Sequence, residues 1–404
     1  LPAPEGERPG PEKPYVAPRT ASERVLCDIW AEVLRLERVG REDNFFELGG
    51  DSILSIQVVA RARQAGLELA PSQVFERPTP AALATVARVA RTNSAEQETL
   101  TGDVPLTPIQ RWFFEQDFAV PDHWNMALML KTRERLDAAL LERAFARLSE
   151  HHDALRLRFV RGPNGWRQFV AAPESGGEED ADSAGGGRYV RAVSLSGLAE
   201  DEQHAALEKI AAETQAQLDL SRGPLLRAML FDLGAGRPQR LLIVVHHLAV
   251  DGVSWRILLE DLGRAYGRLQ RGEAISLPPK TTSFARWAER LEEYARSEQA
   301  RGELEYWTLL PAERAKPLPR DRRGGRNTEA EARTLTVALG TEETRALLRE
   351  VPEAYHTQIN DVLLTALLDA FSRWTGERAL LVELEGHGRE ELFDDVDLSR
   401  TVGW

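Results

Sequence analysis

The sequence predicts a small all-helical bundle followed by a larger mixed α/β domain, and three observations predict it. Between residues 20 and 91 the apolar residues recur at helical spacing. From Pro105 onward, helical patterns alternate with extended ones, as they do in mixed α/β domains. A polar stretch from Thr92 to Thr99 separates the two regions and reads as a linker. With 404 residues and 42% hydrophobic content, the chain is long enough for two or three domains with substantial cores.

Taken in order, residues 1–19 are rich in proline with Glu, Gly and Arg, which favours an extended linker. TASERVLCDIWAEVL offers Thr20 or Ser22 as a helix cap, with Val25, Leu26, Ile29, Trp30 and Val33 on one apolar face. A loop leads to NFFELGGDSILSIQVVARARQAG, where Ser52 directly precedes a second amphipathic segment, and Pro78-Thr79-Pro80 opens a short third one. Further on, LDAAL through LSEHH reads as helix, while DALRLRFV, LLRAMLFDL and QRLLIVV read as extended. Residues 173–187 have the glycine and acid content of a solvated loop. FARWAERLEEYARSEQARGELEYW intersperses acids and bases like a charge-laced surface helix.

A net charge of −13 and a pI near 5.3 argue against nucleic acid or an anionic membrane as the main partner. No apolar run approaches the length of a membrane span and no signal peptide is evident, so a cytoplasmic location is expected. The single cysteine, Cys27, lies within an apolar helical pattern and is expected to be a buried thiol; one cysteine allows no internal disulfide framework. The chain starts with Leu and stops at RTVGW, so it reads as a piece of a longer protein.

Chemistry concentrates in LLIVVHHLAVDGVSW. Five apolar residues lead into His246 and His247, placing the pair where a buried strand leaves the core. Adjacent residues there point opposite ways, so one imidazole can face a cavity while the other packs into structure. An imidazole titrates near neutrality and is suited to moving protons. Asp251, just before Gly252, is expected to fix the loop by pairing with an arginine or with backbone amides. Arg389 and Arg156 are both candidate partners. His151, His152 and Asp153 imitate the signature without the Asp-Gly spacing and are expected to serve packing or docking.

A second site is LGGDS, in which two glycines allow a tight loop before Ser52 at a helix N-terminus. Ser52 either serves as an attachment point beside unpaired amides and the positive helix end, or is simply an N-cap. A third is EGHGRE after the strand-like run ERALLVEL, Glu377–Leu384. Glu385 is either a polar group at the mouth of a strand, like His247, or a surface acid paired with Arg389.

These strings resemble nonribosomal peptide synthetases. DNFFELGGDSILSIQVV resembles the attachment segment of peptidyl carrier domains, which implies 4'-phosphopantetheine on Ser52, and Asp51 is similar to carriers that feed epimerization domains. HHxxxDG is the signature shared by condensation and epimerization domains. PLTPIQRWFF, DHWN, TQINDVLLTAL, EGHGRE and RTVGW resemble the epimerization branch. The resemblance implies a four-helix carrier bundle at 20–91 behind a linker, 1–19, from an upstream adenylation domain. It implies a second linker at 92–103 and a chloramphenicol-acetyltransferase-like α/β domain at 104–404. That domain has two halves, 104–275 and an incomplete 276–404, the latter putting independent activity in doubt.

The activity so implied is inversion of the α-carbon of a carrier-bound aminoacyl or peptidyl thioester through a planar enolate. His247 and Glu385 are the candidate acid–base pair, supported by His246, Asp251, Gly252 and Arg389. Each well-placed group contributes roughly 10²- to 10⁴-fold. Expected partners are the adenylation domain, a downstream condensation domain and a phosphopantetheinyl transferase, with no metal, nucleic acid or membrane. The alternatives are peptide-bond formation and a noncatalytic carrier and docking module.

Overall fold

The computed structural model describes residues 14–404 except 90–96, 164, 174–186, 310–315, 322–323, 326–327, 356 and 391, and gives Ser52, Ile53, Pro71, Glu329, Arg349 and Glu353 as backbone only. Most of the first linker, much of the polar stretch before Pro105 and the acidic loop therefore lie outside the described residues. The described residues form two compact units, one running to Ser297 and including His387–Trp404, the other Glu298–Gly386.

The first unit begins with four helices: α1 (Ala21–Leu34), α2 (Ser52–Gln64), α3 (Pro71–Glu76) and α4 (Pro80–Ala84). Thr20, rather than Ser22, caps α1, accepting a hydrogen bond from the Glu23 amide at 3.1 Å. The apolar face of α1 buries Leu26, Ile29, Trp30 and Val33 against Phe45, Val58, Val59 and Leu83. Trp30 and Phe45 meet with ring centroids 4.9 Å apart. Two two-residue strands, β1 (Leu67–Glu68) and β2 (Arg88–Val89), pair beside the bundle. Cys27 is buried in α1, and burial pushes its thiol up to about 12, as expected of an inert packing residue.

The α/β part follows. Strands β3 (Gly102–Val104), β5 (Leu157–Gly162) and β6 (Gly165–Val170) form an antiparallel sheet in the order β3-β6-β5. A second sheet has the order β4-β9-β8-β7, with β4 (Asn125–Lys131), β7 (Val190–Ser194), β8 (Leu226–Asp232) and β9 (Arg240–His246). Among the described residues of this sheet, β7 and β8 pair in parallel and the other neighbours antiparallel. Helices α5 (Pro108–Glu115), α6 (Ala138–His151), α7 (Glu200–Gln215), α8 (Gly252–Gln270) and α9 (Phe284–Ala295) complete the unit.

Strand β9 lies inside its sheet and both its faces are covered. Leu241, Ile243 and Val245 join a core with residues of α6 and α8, while Leu242 and Val244 join a second core with residues of α7. A strand covered on both sides needs apolar residues at every position, hence the unbroken LLIVV run.

The second unit contains α10 (Glu298–Gly302), α11 (Leu304–Leu309), α12 (Thr341–Arg345), α13 (Val351–Tyr355) and α14 (Ile359–Thr375). Two expectations fail along this stretch. The charged run from Phe284 is three helices, since α9 ends at Ala295 and Gly302 closes α10. The Glu377–Leu384 run is not a strand. No strand pairs with it among the described residues, and Leu381 and Leu384 are exposed. β-propensity marks a segment that can pair, whereas the partner is set by tertiary context.

The glycines of LGGDS have distinct local causes. Gly49 has φ +91°, open to glycine without strain, and Gly50 lies against the Phe45 ring, where a Cβ would come within 2.4 Å. Gly50→Ala is therefore expected to destabilise the helical bundle by about 1–3 kcal/mol through overpacking, seen as a lower unfolding midpoint with the α/β cores unaffected.

Candidate functional site

The loop His246–Asp251 joins β9 to α8, and its two histidines have different surroundings. His246 is fully buried. Its Nε2 lies 2.9 Å from the Pro121 carbonyl, which can only accept, and its Nδ1 accepts from the Leu248 amide at 3.1 Å. Both nitrogens are thus committed in one neutral tautomer. Burial pushes its pKa down to about 4, because a proton on Nδ1 would displace the Leu248 bond in a desolvated site. Phe113 meets the His246 ring edge-on, with centroids 6.0 Å apart.

His247 points the other way and is partly exposed. Its amide donates to the Trp124 carbonyl at 2.9 Å, and its ring lies 4.2 Å from the Trp404 ring. Nδ1 is buried and lacks a hydrogen-bond partner among the described residues. Nε2 is the other ring nitrogen of this partly exposed side chain. The short helical motif before β4 supports this loop, because Gln110 in α5 donates to the Leu248 carbonyl at 3.3 Å.

Asp251 caps α8, accepting from the Ser254 amide and hydroxyl at 2.7 Å each. Arg389 Nη2 reaches both Asp251 carboxylate oxygens, at 3.2 and 3.0 Å, and its Nη1 donates to the Leu398 and Thr401 carbonyls. Asp251 is thus paired with Arg389 rather than with Arg156, which binds Asp153 at 2.7 Å. Gly252 is the first residue of α8, with no atom within 4 Å of where a Cβ would stand. Ser254 Oγ also lies 3.1 Å from both the amide and the carbonyl of Gly403, so the RTVGW segment is tied to the start of α8.

A second buried cluster holds that segment. Arg400 pairs with Asp261 at 2.5 Å, and Asp261 meets His152 Nε2 at 2.8 Å. Burial alone would raise the Asp261 carboxyl, yet the His152 hydrogen bond and the Arg400 charge outweigh it and hold the group below its usual range. Half-buried His151 beside it is pushed down to about 3, first by desolvation and then by His152. His151, His152 and Asp261 place their ligand atoms within 4.8 Å of one another. Asp261 is already committed to Arg400 and His152, so the group is an internal ion-pair cluster. Sequence reading missed Asp261 because an acid inside a helix carries no signal until its distant partners are known.

Glu385 lies in the second unit, next to its end at Gly386, whereas His387, Gly388 and Arg389 belong to the first. Arg389 engages Asp251, so a surface pair of Glu385 with Arg389 is not what holds that arginine.

The carrier-like bundle presents Ser52 as the first residue of the 13-residue helix α2. Its cap is Asp51, whose carboxylate accepts from the Leu54 amide at 2.7 Å, so Ser52 is not the N-cap. Capping thus falls to the neighbouring acid and leaves Ser52 uncommitted to that role. The Gly49 side of the loop is open, with no atom within 4 Å of where a Cβ would stand. Helix α2 packs against α8: Ile56, one turn from Ser52, is 4% exposed and joins the core containing Val253 and Ile257. Burial lowers Arg256 in α8, and the Asp51 charge opposes this. The start of α2 is thus beside the helix that begins directly after the His247 loop.

Comparison with known proteins identifies the two regions of the chain. The condensation domain family matches residues 101–404, and the phosphopantetheine attachment site family matches residues 24–87. The chain belongs to the condensation-domain family, with a phosphopantetheine carrier domain ahead of it, as in nonribosomal peptide synthetases.

A linear gramicidin synthase of Brevibacillus parabrevis is 52% identical over 405 residues, covering 100% of this chain and 8% of that protein. The chain thus spans a small fraction of such relatives. The epimerization domain from the third module of tyrocidine synthetase B is similar at 37% identity with a TM-score of 0.66, covering 77% of this chain and 66% of that one. The first condensation domain of the calcium-dependent antibiotic synthetase shares the fold, at 24% identity and a TM-score of 0.56, over 75% and 67%. No helix among the described residues is long and apolar enough to cross a membrane.

His246 makes the stability of this site depend on pH. Below pH 6.5 the unfolded chain takes up a proton at this residue, while the folded chain resists until about 4, so stability falls as pH falls through that window. The contribution is roughly 3 kcal/mol between those limits. His246→Gln is expected to be less stable at pH 7 but to lose less between pH 6.5 and 4, as measured by denaturant midpoints.

Proposed function

We propose that this chain holds an aminoacyl or peptidyl group on phosphopantetheine at Ser52 and inverts its α-carbon from L to D during nonribosomal peptide synthesis. The observation that carries the reading is the packing of α2, which begins at Ser52, against α8, which begins beside the His247 loop. Similarity to a solved epimerization domain at 37% identity, together with the EGHGRE and RTVGW strings, supports inversion as the reaction.

The arm would supply a thioester, whose carbonyl accepts less donation than an amide and leaves the α-proton more acidic. The chain's own residues supply the proton handling. His247 moves a proton at Nε2, because its Nδ1 is buried and its neighbour His246 is locked neutral. Trp404 covers one side of the His247 ring and limits water there. Glu385 is the second acid–base group, and inversion needs two because the proton leaves one face and returns to the other. Asp251 and Arg389 position the loop rather than touch the substrate, and Asp51 serves the carrier end as the cap before Ser52. Among partners, an adenylation domain would load the arm, a condensation domain would take the D-product, and a phosphopantetheinyl transferase would modify Ser52.

The shared HHxxxDG signature and the condensation-domain fold keep amide formation as the second reading. An L-aminoacyl group loaded on Ser52 in deuterated water is expected to acquire deuterium at the α-carbon and to yield D-residue. His247→Ala and Glu385→Gln should each slow this by about 10² or more with folding intact. Amide product on adding an acceptor amine, without α-exchange, would favour condensation instead.

A further inference from the structure

The irregular segment between Arg389 and Trp404 has two neighbours at once. On one side its Leu398 and Thr401 carbonyls accept Arg389, which holds Asp251 and the His247 loop. On the other it meets the carrier. Arg63 of α2 lies 3.2 Å from Asp397, whose side chain is only 11% exposed, and Ile56, Val59 and Leu69 border the same cleft as Val396 and Leu398.

Asp397 is the joint between these two sides. Its carbonyl accepts from the Thr282 amide at 3.0 Å and its own amide donates to Thr282 Oγ1 at 2.8 Å. One carboxylate oxygen accepts from the Ser399 amide at 3.0 Å and fixes the turn that presents the Leu398 carbonyl. The other is the oxygen that Arg63 pairs with. A carboxylate this enclosed is destabilised when its cation is removed, because water cannot replace the partner fully.

We propose that Arg63 and Asp397 are positioning residues through which the docked carrier braces the His247 loop, so that seating the substrate carrier and aligning Arg389 on Asp251 are one event. The inference rests on the proposed reaction only for its catalytic consequence; the mechanical coupling stands on the contacts themselves. It also gives the carrier contact a specific ionic requirement at α2, apart from the helix packing around Ile56. Arg63 additionally lies 3.8 Å from Glu68 within the carrier, so that pair needs its own control.

The test is amide hydrogen exchange on the full chain, comparing wild type with Arg63→Glu, Arg63→Lys and Glu68→Gln. Arg63→Glu sets a carboxylate against Asp397 and is expected to speed exchange about tenfold in residues 396–404 and in 247–254. Arg63→Lys keeps the charge and should stay near wild type, as should Glu68→Gln. Unchanged protection in either segment of Arg63→Glu, or equal loosening in Glu68→Gln, overturns the coupling.

A second readout is α-deuterium uptake by a small L-aminoacyl thioester supplied in solution, which needs no delivery from Ser52. It should fall about tenfold in Arg63→Glu. An unchanged rate would overturn the catalytic consequence and leave docking alone. If wild type shows no uptake either here or on the Ser52-loaded group while exchange loosens as expected, the proposed reaction fails and the coupling survives.

Discussion

The Arg389 guanidinium ties the start of α8 to the Leu398–Thr401 segment. It is 7% exposed, and its two terminal nitrogens reach Asp251, Ser254 and the Leu398 and Thr401 carbonyls. Planar forked donors suit such a node better than a lysine ammonium, which cannot span a carboxylate and two carbonyls in fixed directions. Asp251 is at the same time the cap of α8, so one carboxylate ends the His247 loop, starts a 19-residue helix and anchors a segment 138 residues away. A buried pair of this kind adds modestly to stability when complete and is costly to break, so its value lies in specifying one arrangement of the loop.

Around that node the site is built from strands, helices and irregular chain in distinct roles. Strand β9 delivers the two histidines, and the neutral, doubly bonded His246 fixes the register in which His247 emerges. The C-terminal segment then closes over His247 through Trp404 and is held a second time by Arg400 on Asp261. Gly403 permits this closure, since a Cβ there would come within 2.2 Å of Phe284 and its φ is +150°. The His247 imidazole is thus positioned by residues distant in sequence and brought together by buried charges.

Much of this was legible in the sequence, for reasons tied to particular residues. The LLIVV run marked a strand covered on both faces, and the alternation of side chains assigned one histidine to structure. The Asp-Gly step marked Asp251 as a loop anchor pairing with an arginine or with backbone amides, and Asp251 does both, through Arg389 and the Ser254 amide. Other features were not legible. Ser52 and Asp51 are both good caps, and choosing between them required knowing where α2 begins. The apolar Glu377–Leu384 run had strand composition, yet pairing depends on a neighbour that composition does not name. Asp261 and His152 look like an ordinary helix acid and a helix-end histidine until the fold sets Asp261 between His152 and Arg400. Long-range ion pairs leave no periodic trace, whereas local periodicity and caps do.

The Asp251–Arg389 contact organises the His247 loop and the Arg389–Trp404 segment as one coupled unit. A double-mutant cycle of Asp251→Asn and Arg389→Gln, read from the unfolding of the α/β domain by tryptophan fluorescence, measures that coupling directly. The interaction energy is expected to be about 2 kcal/mol or more, with the second substitution costing little once the first is present. Additivity within about 0.5 kcal/mol would contradict it, because the two groups would then be stabilised independently.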